Sequence, residues 1–168
     1  MSTGRQASLL VIAAFTVLAA SPSPAADAPA AITSQAASQI IEGCASHAKG
    51  KGQSHAIAVY DGGGALVALL RMDGNTPGVT EFALAKGMAV AQWRFSTAQM
   101  LEAIKDTPGF ANAPHVVTVP GGVPVFSADG KQFLGAVGVS GEAPADDAAC
   151  AEAGIRAAGF SPTRKPAG

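Results

Sequence analysis

Apolar positions along this chain follow two periods, one helical and one extended. Between Thr33 and Lys49 the apolar residues Ala37, Ile40, Ile41, Cys44 and Ala48 recur at three- and four-residue spacing. That predicts an amphipathic helix capped by Thr33 or Ser34 and stopped by Gly50 and Gly52. His55–Tyr60 (HAIAVY) and Ala65–Met72 (ALVALLRM) are short and β-prone, with Asp61-Gly62-Gly63-Gly64 between them. Asp-Gly residues accept positive φ, so the pair predicts a hairpin. After the loop Asp73–Gly78, a second helix is predicted from Val79 to Arg94. Its apolar residues fall on two stripes: Val79, Phe82, Ala83, Val90 and Trp93 form one, Leu84, Met88 and Ala89 the other. A helix apolar on two sides is buried on two sides, and in a small domain one of them suits a neighbouring subunit. Ser96 or Thr97 caps a further short helix through Ile104, and Lys105–Pro114 reads as loop.

The stretch Val117–Gly141 predicts a second hairpin. Val123–Phe126 is its first strand, Ala128-Asp129-Gly130-Lys131 its turn, and Gln132–Ser140 its return. Gly135, Gly138 and Gly141 would weaken a strand without another purpose, which is close approach of a second backbone or a ligand. Pro124 has no N–H and belongs near an edge. His115, after Pro114, stands at the start of a third extended segment. The last predicted helix opens near Asp146 and Asp147, which suit the positive end of its dipole, and Gly159 ends it. Cys150, Gly154 and Ala158 give this helix a seam of small residues. The order α-β-β-α-α, two or three strands, then α predicts an α+β sandwich: a mainly antiparallel sheet with helices on its faces.

The N-terminus follows neither period. Arg5 precedes the apolar run Ala7–Ala20, and Ser23-Pro24-Ala25 offers small residues for cleavage. This is the layout of a secretory signal peptide over residues 1–26, and the run is short for a membrane span of roughly 20 residues. Residues 27–31 read as a Pro/Ala spacer, 32–160 as one domain, and 161–168 as a flexible tail. The expected location is periplasmic or secreted, with no membrane attachment after cleavage. Loss of Arg5 takes the formal net charge of −1 to −2. No Lys/Arg cluster builds a phosphate-tracking stripe, so nucleic acid is not an expected partner. Cys44 and Cys150, in the first and last helices, can form a disulfide in an oxidising compartment or remain two small buried thiols.

Catalytic motifs are missing. Gly138-Val139-Ser140-Gly141-Glu142 has glutamate where a nucleophile elbow needs glycine, and no zinc or phosphate-loop spacing occurs. His47 reads as a surface residue, while His55 and His115 open extended segments and can face a cleft. Met72, Met88 and Met100 are core fillers first, although a thioether can also ligate haem iron. Arg71 ends an apolar strand and Lys86 sits in an apolar helix, so each needs an anion if buried. That anion is internal (Glu81, Asp61 or Asp73) or it is the carboxylate of a ligand.

Several blocks together resemble one family. They are Ile57–Gly64 (IAVYDGGG), Arg71-Met72-Asp73, Ala85-Lys86, Gly121–Val125 (GGVPV), Gly135–Gly141 (GAVGVSG), Asp147, and Ala153-Gly154. In order and spacing they resemble the GlcG/HbpS-like haem-binding family, which includes the C-terminal domain of PduO-type proteins. The resemblance implies a profilin-like sandwich with a sheet of about five antiparallel strands, assembling into homo-oligomers, octamers in some members. It also implies haem as the cofactor, held as a small, partly apolar anion in a groove between subunits. The central helix carries Lys86-Gly87-Met88-Ala89-Val90 where the family often has Lys-Ala-x-Thr-Ala, which leaves Thr97 as the matching threonine. Thr97 is the site residue the resemblance implies; the residues themselves add Arg71 and Lys86 as polar anchors, with Met88, Thr97 or His115 near the iron. The alternatives are a haem-degrading or accessory enzyme in small organic acid or alcohol oxidation, and an assembly module without ligand.

Overall fold

Two Asp-Gly hairpins lie side by side and make one sheet. The computed structural model describes Met1 and residues 31–166, so the leader expected at 1–26 and nearly all of the spacer lie outside the described residues. Helix α1 (Ser34–Gly50) leads into strands β1 (Ala56–Asp61) and β2 (Leu66–Arg71). Helices α2 (Pro77–Trp93) and α3 (Thr97–Asp106) follow, then a short 3-10 turn, strands β3 (Gly122–Phe126) and β4 (Phe133–Ser140), and helix α4 (Pro144–Ala157). The strand order is β2-β1-β4-β3, and every pairing is antiparallel.

The described residues hold four strands rather than about five. Residues 115–121, the expected third extended segment, run as irregular chain. Pro114 and Pro120 flank it without N–H groups, and His115 turns left-handed at φ 60°. The edge of β3 that a fifth strand would join is already engaged. The Gly122 N–H donates to Thr97 Oγ1 at 2.9 Å, and Phe126 exchanges two backbone bonds with Ser161 at 2.8 and 3.0 Å. Ser161 and Lys165, in the segment expected to be a flexible tail, are thus tied to the sheet, Lys165 through its N–H to Gly130 O at 2.9 Å.

α1 and α4 cover one face of the sheet over Ile57, Val59, Val137 and Val139, and α2 covers the other over Ala58, Tyr60 and Ala136. The expected small-residue seam is where α4 meets α1. A Cβ added at Gly154 would strike Ile40 O, and one added at Gly43 would come within 2.6 Å of Ala157. Cys44 and Cys150 are joined there as a disulfide, with Cα atoms 4.7 Å apart. Closing a loop of this length stabilises the fold by roughly 2–5 kcal/mol. Gly138 serves the close approach expected of a strand glycine: a Cβ there would collide with Ala83 O and the Gly87 N–H, so α2 rests directly on the β4 backbone.

Candidate functional site

Lys86 is the largest fully buried side chain of the described residues, 1% exposed. It enters the core because α2 lies so close to β4. Its Nζ donates to Asp147 Oδ2 at 2.8 Å and to Val139 O at 3.0 Å, and it sits 4.7 Å above the Phe82 ring. The other oxygen, Oδ1 of Asp147, lies 3.1 Å from His55 Nδ1 and accepts the Glu142 N–H at 3.1 Å. The partner of Lys86 is therefore Asp147 on α4, and not Glu81, Asp61 or Asp73. Three buried ionisable side chains tie α2, the start of β1 and the β4–α4 turn together. His55 Nε2 is buried without a hydrogen-bond partner among the described residues. Gly121, at φ 128°, is required beside this cluster, since a Cβ there would stand 2.7 Å from Lys86 Nζ.

The other expected residues lie elsewhere. Thr97 is fully buried, and its hydroxyl holds Gly122. His115 is exposed on the loop after Pro114, whose carbonyl accepts the Trp93 indole N–H at 2.9 Å. Arg71 is exposed at the end of β2, with Nη1 donating to Asn75 O at 3.2 Å. Met88 is half-buried on α2, packed with Leu84 against Ala58 and Tyr60, and its Sδ accepts from Gln92 Nε2 at 3.6 Å.

Arg71 and Met88 share one side of the sheet. Leu69 pairs with Ala58 and Leu66 with Tyr60, so these side chains project, with Arg71 two residues on, toward the α2 side. α2 covers β1 and β4 and leaves β2 bare there: Leu66 is 47% and Leu69 41% exposed. The result is an open apolar face with a thioether on one wall and a guanidinium at its end. Lys86 and Thr97 lie on the opposite flank of α2, toward β3, and His115 lies on a separate loop, so the five expected site residues do not converge.

Two further groups are tuned by their surroundings. Burial pushes the Tyr60 hydroxyl above its ordinary range; it donates to Leu84 O at 3.2 Å. Hydrogen bonding from Gln53, and then from the Lys51 ammonium 3.3 Å away, holds the Asp146 carboxyl below the usual carboxylate range.

The family model described as haem degrading protein HbpS-like matches residues 32–156, nearly the whole described domain. The chain belongs to the HbpS-like family. GlcG of Escherichia coli K12 is 39% identical over 110 residues, which span 65% of this chain and 81% of that protein. A double mutant of Streptomyces reticuli HbpS superposes with a TM-score of 0.70 at 24% identity, covering 85% of this chain and 97% of that one. PduOC, solved as a haem complex, superposes with a TM-score of 0.71 at 18% identity, covering 80% and 100%. At these identities the solved structures establish the α+β fold shared with HbpS-like proteins.

The role of Asp147 is not legible in the sequence, which shows only an acid suited to the helix dipole, where it also stands, in the first turn of α4. The available signal was a lysine on an apolar stripe, which demanded an acid without saying which one. The pairing spans 61 residues of sequence, and no periodicity reaches that far.

Proposed function

We propose that the mature chain is an exported haem-binding protein that assembles as a homo-oligomer, with haem seated on the α2–β2 face. The observation that carries this reading is the open face itself. It joins an apolar bed (Leu66, Leu69 and Leu84), a thioether able to ligate iron in Met88, and a cation for a propionate in Arg71. Membership of the HbpS-like family and the PduOC haem complex support it. One protomer supplies one wall, and a flat macrocycle buried on one side only is weakly held, so a second copy furnishes the other wall. Lys86 and Thr97 act here by shaping the flank of α2, because their polar atoms are already engaged. The leader pattern at residues 1–26 and the disulfide support export, since disulfides persist in oxidising compartments.

The test is a hemin titration of the mature, disulfide-intact chain. A shifted Soret band is expected, with weaker binding in Met88→Leu and in Arg71→Glu. A spectrum equal to free hemin would end the reading. Adding reductant and oxygen to the complex, with catalase present to remove free peroxide, separates a carrier from the haem-degrading activity in the family's description: only an enzyme loses Soret absorbance.

A further inference from the structure

At the opposite edge of the sheet lies a groove of about 650 Å³, between the α2–α3 corner, the outer edge of β3, and the C-terminal segment. Arg94 and Arg164 are among its lining residues, and Arg94 also lines a neighbouring cavity with Phe133. Arg94 lies 5.4 Å from the centre of the Phe133 ring, and Arg164 lies 5.5 Å from that of Phe126. The two rings are cross-strand partners at the irregularity of the β3–β4 ladder and meet edge to face at 5.9 Å. The cations are therefore braced on adjacent aromatics at one end of the sheet. Neither has an ion pair among the described residues. Glu152, the one carboxylate among the described residues of its walls, is held by Arg156 at 2.9 Å.

Arg94 also occupies a costly backbone position. It caps α2 at φ 62°, where glycine is the cheap choice and any other residue costs about 1 kcal/mol. Opposite it, Ser96 and Gln99 form a capping box that uses the Ser96 and Gln99 N–H groups, while those of Thr97 and Ala98 keep no acceptor among the described residues. The remaining walls are apolar and aromatic, with Trp93, Phe95 and Pro124 among them. Among the described residues, no histidine, cysteine, methionine or tyrosine lines the groove, which sets its chemistry apart from that of an iron site.

We propose that this groove is a second ligand site, for a small anion with an aromatic body: an aryl carboxylate or aryl phosphate. The acid group lies between Arg94 and Arg164, within reach of the free N–H groups of α3, and the ring lies against Trp93, Phe95 and Pro124. Planar guanidiniums suit such acids because each can donate two parallel hydrogen bonds.

Anilinonaphthalene sulfonate, an aromatic anion that fluoresces when sheltered from water, is the probe. The mature chain should bind it saturably, and benzoate or phenyl phosphate should displace it; whichever competes better names the acid group. The double variant Arg94→Asn, Arg164→Gln should bind roughly tenfold more weakly or worse, as loss of charge-assisted bonds requires. Both side chains are exposed and asparagine tolerates the left-handed cap, so the variant should fold, which far-UV circular dichroism checks. Lys49→Gln, exposed on α1 and away from both sheet edges, should bind the probe as the parent does. Equal binding by parent and double variant overturns the proposal, as does displacement by inorganic phosphate as strong as that by the aryl acids. The hemin titration reports on the other edge of the sheet, so the two readings fail separately.

Discussion

The two edges of the sheet are finished in opposite ways. At β3, Pro124 has no N–H to offer, the Thr97 hydroxyl takes the Gly122 N–H, and Ser161 pairs with Phe126. Behind that edge the Lys86–Asp147–His55 cluster locks α2 to α4. At β2 the outward backbone groups of Val67, Leu69 and Arg71 pair with nothing among the described residues, and the α2 side is bare leucine. An apolar edge strand left in this state is a template for another chain. The contrast teaches where the fold is finished: the β3 edge is closed by its own chain, and the β2 edge is left open among the described residues.

Substitutions at each edge break or sharpen that contrast. Lys86→Met should cost most, about 3–5 kcal/mol, because it strands a buried carboxylate without its cation. Urea denaturation of the oxidised chain measures it, with Arg71→Met as the reference at the open edge, expected within about 0.5 kcal/mol of the parent. Should the two cost the same, the closed edge would lack the electrostatic lock described above.

Thr97→Val keeps the shape of the side chain and removes the acceptor for the Gly122 N–H, so it should cost about 1–3 kcal/mol in the same assay. A loss much smaller than this would mean that Gly122 finds water instead, and that the edge is less sealed than its geometry implies.

Leu69→Lys should change protomer stability least, within about 0.5 kcal/mol, since the side chain is already 41% exposed. Its effect belongs to assembly: light scattering coupled to size exclusion should give a smaller particle than the parent. A parent chain that is monomeric across the concentration range would dissolve the contrast at this edge.

Much of the fold was readable from local rules. The Asp-Gly turns located both hairpins, the three- and four-residue spacing located α1, and the small residues of α4 marked the seam that now holds the disulfide. Helix boundaries shifted by a residue or two where proline could start a helix, as Pro77 does, or where the left-handed Arg94 ended one. The extended segment expected after Pro114 failed to become a strand for a reason lying outside it. Its place on the β3 edge was taken by Thr97 and by Ser161. Each of the five expected site residues is unusual on its own, and nothing in the sequence says which of them meet. Burial explains two of them, Lys86 and Thr97, as structural members; Arg71 and the half-buried Met88 share the α2–β2 face, and His115 stands apart on an exposed loop.

What the sequence determined by itself is whatever depends on neighbours within about ten residues: turns, helical stripes, caps, and the demand of Lys86 for an anion. The tertiary structure alone decided that Asp147 meets that demand, that the C-terminal segment closes one sheet edge, and that Arg94 and Arg164 stand on adjacent rings. Hydrophobic spacing says which side of an element is buried. It does not say what lies across from that side, because long-range partners are set by how whole layers pack.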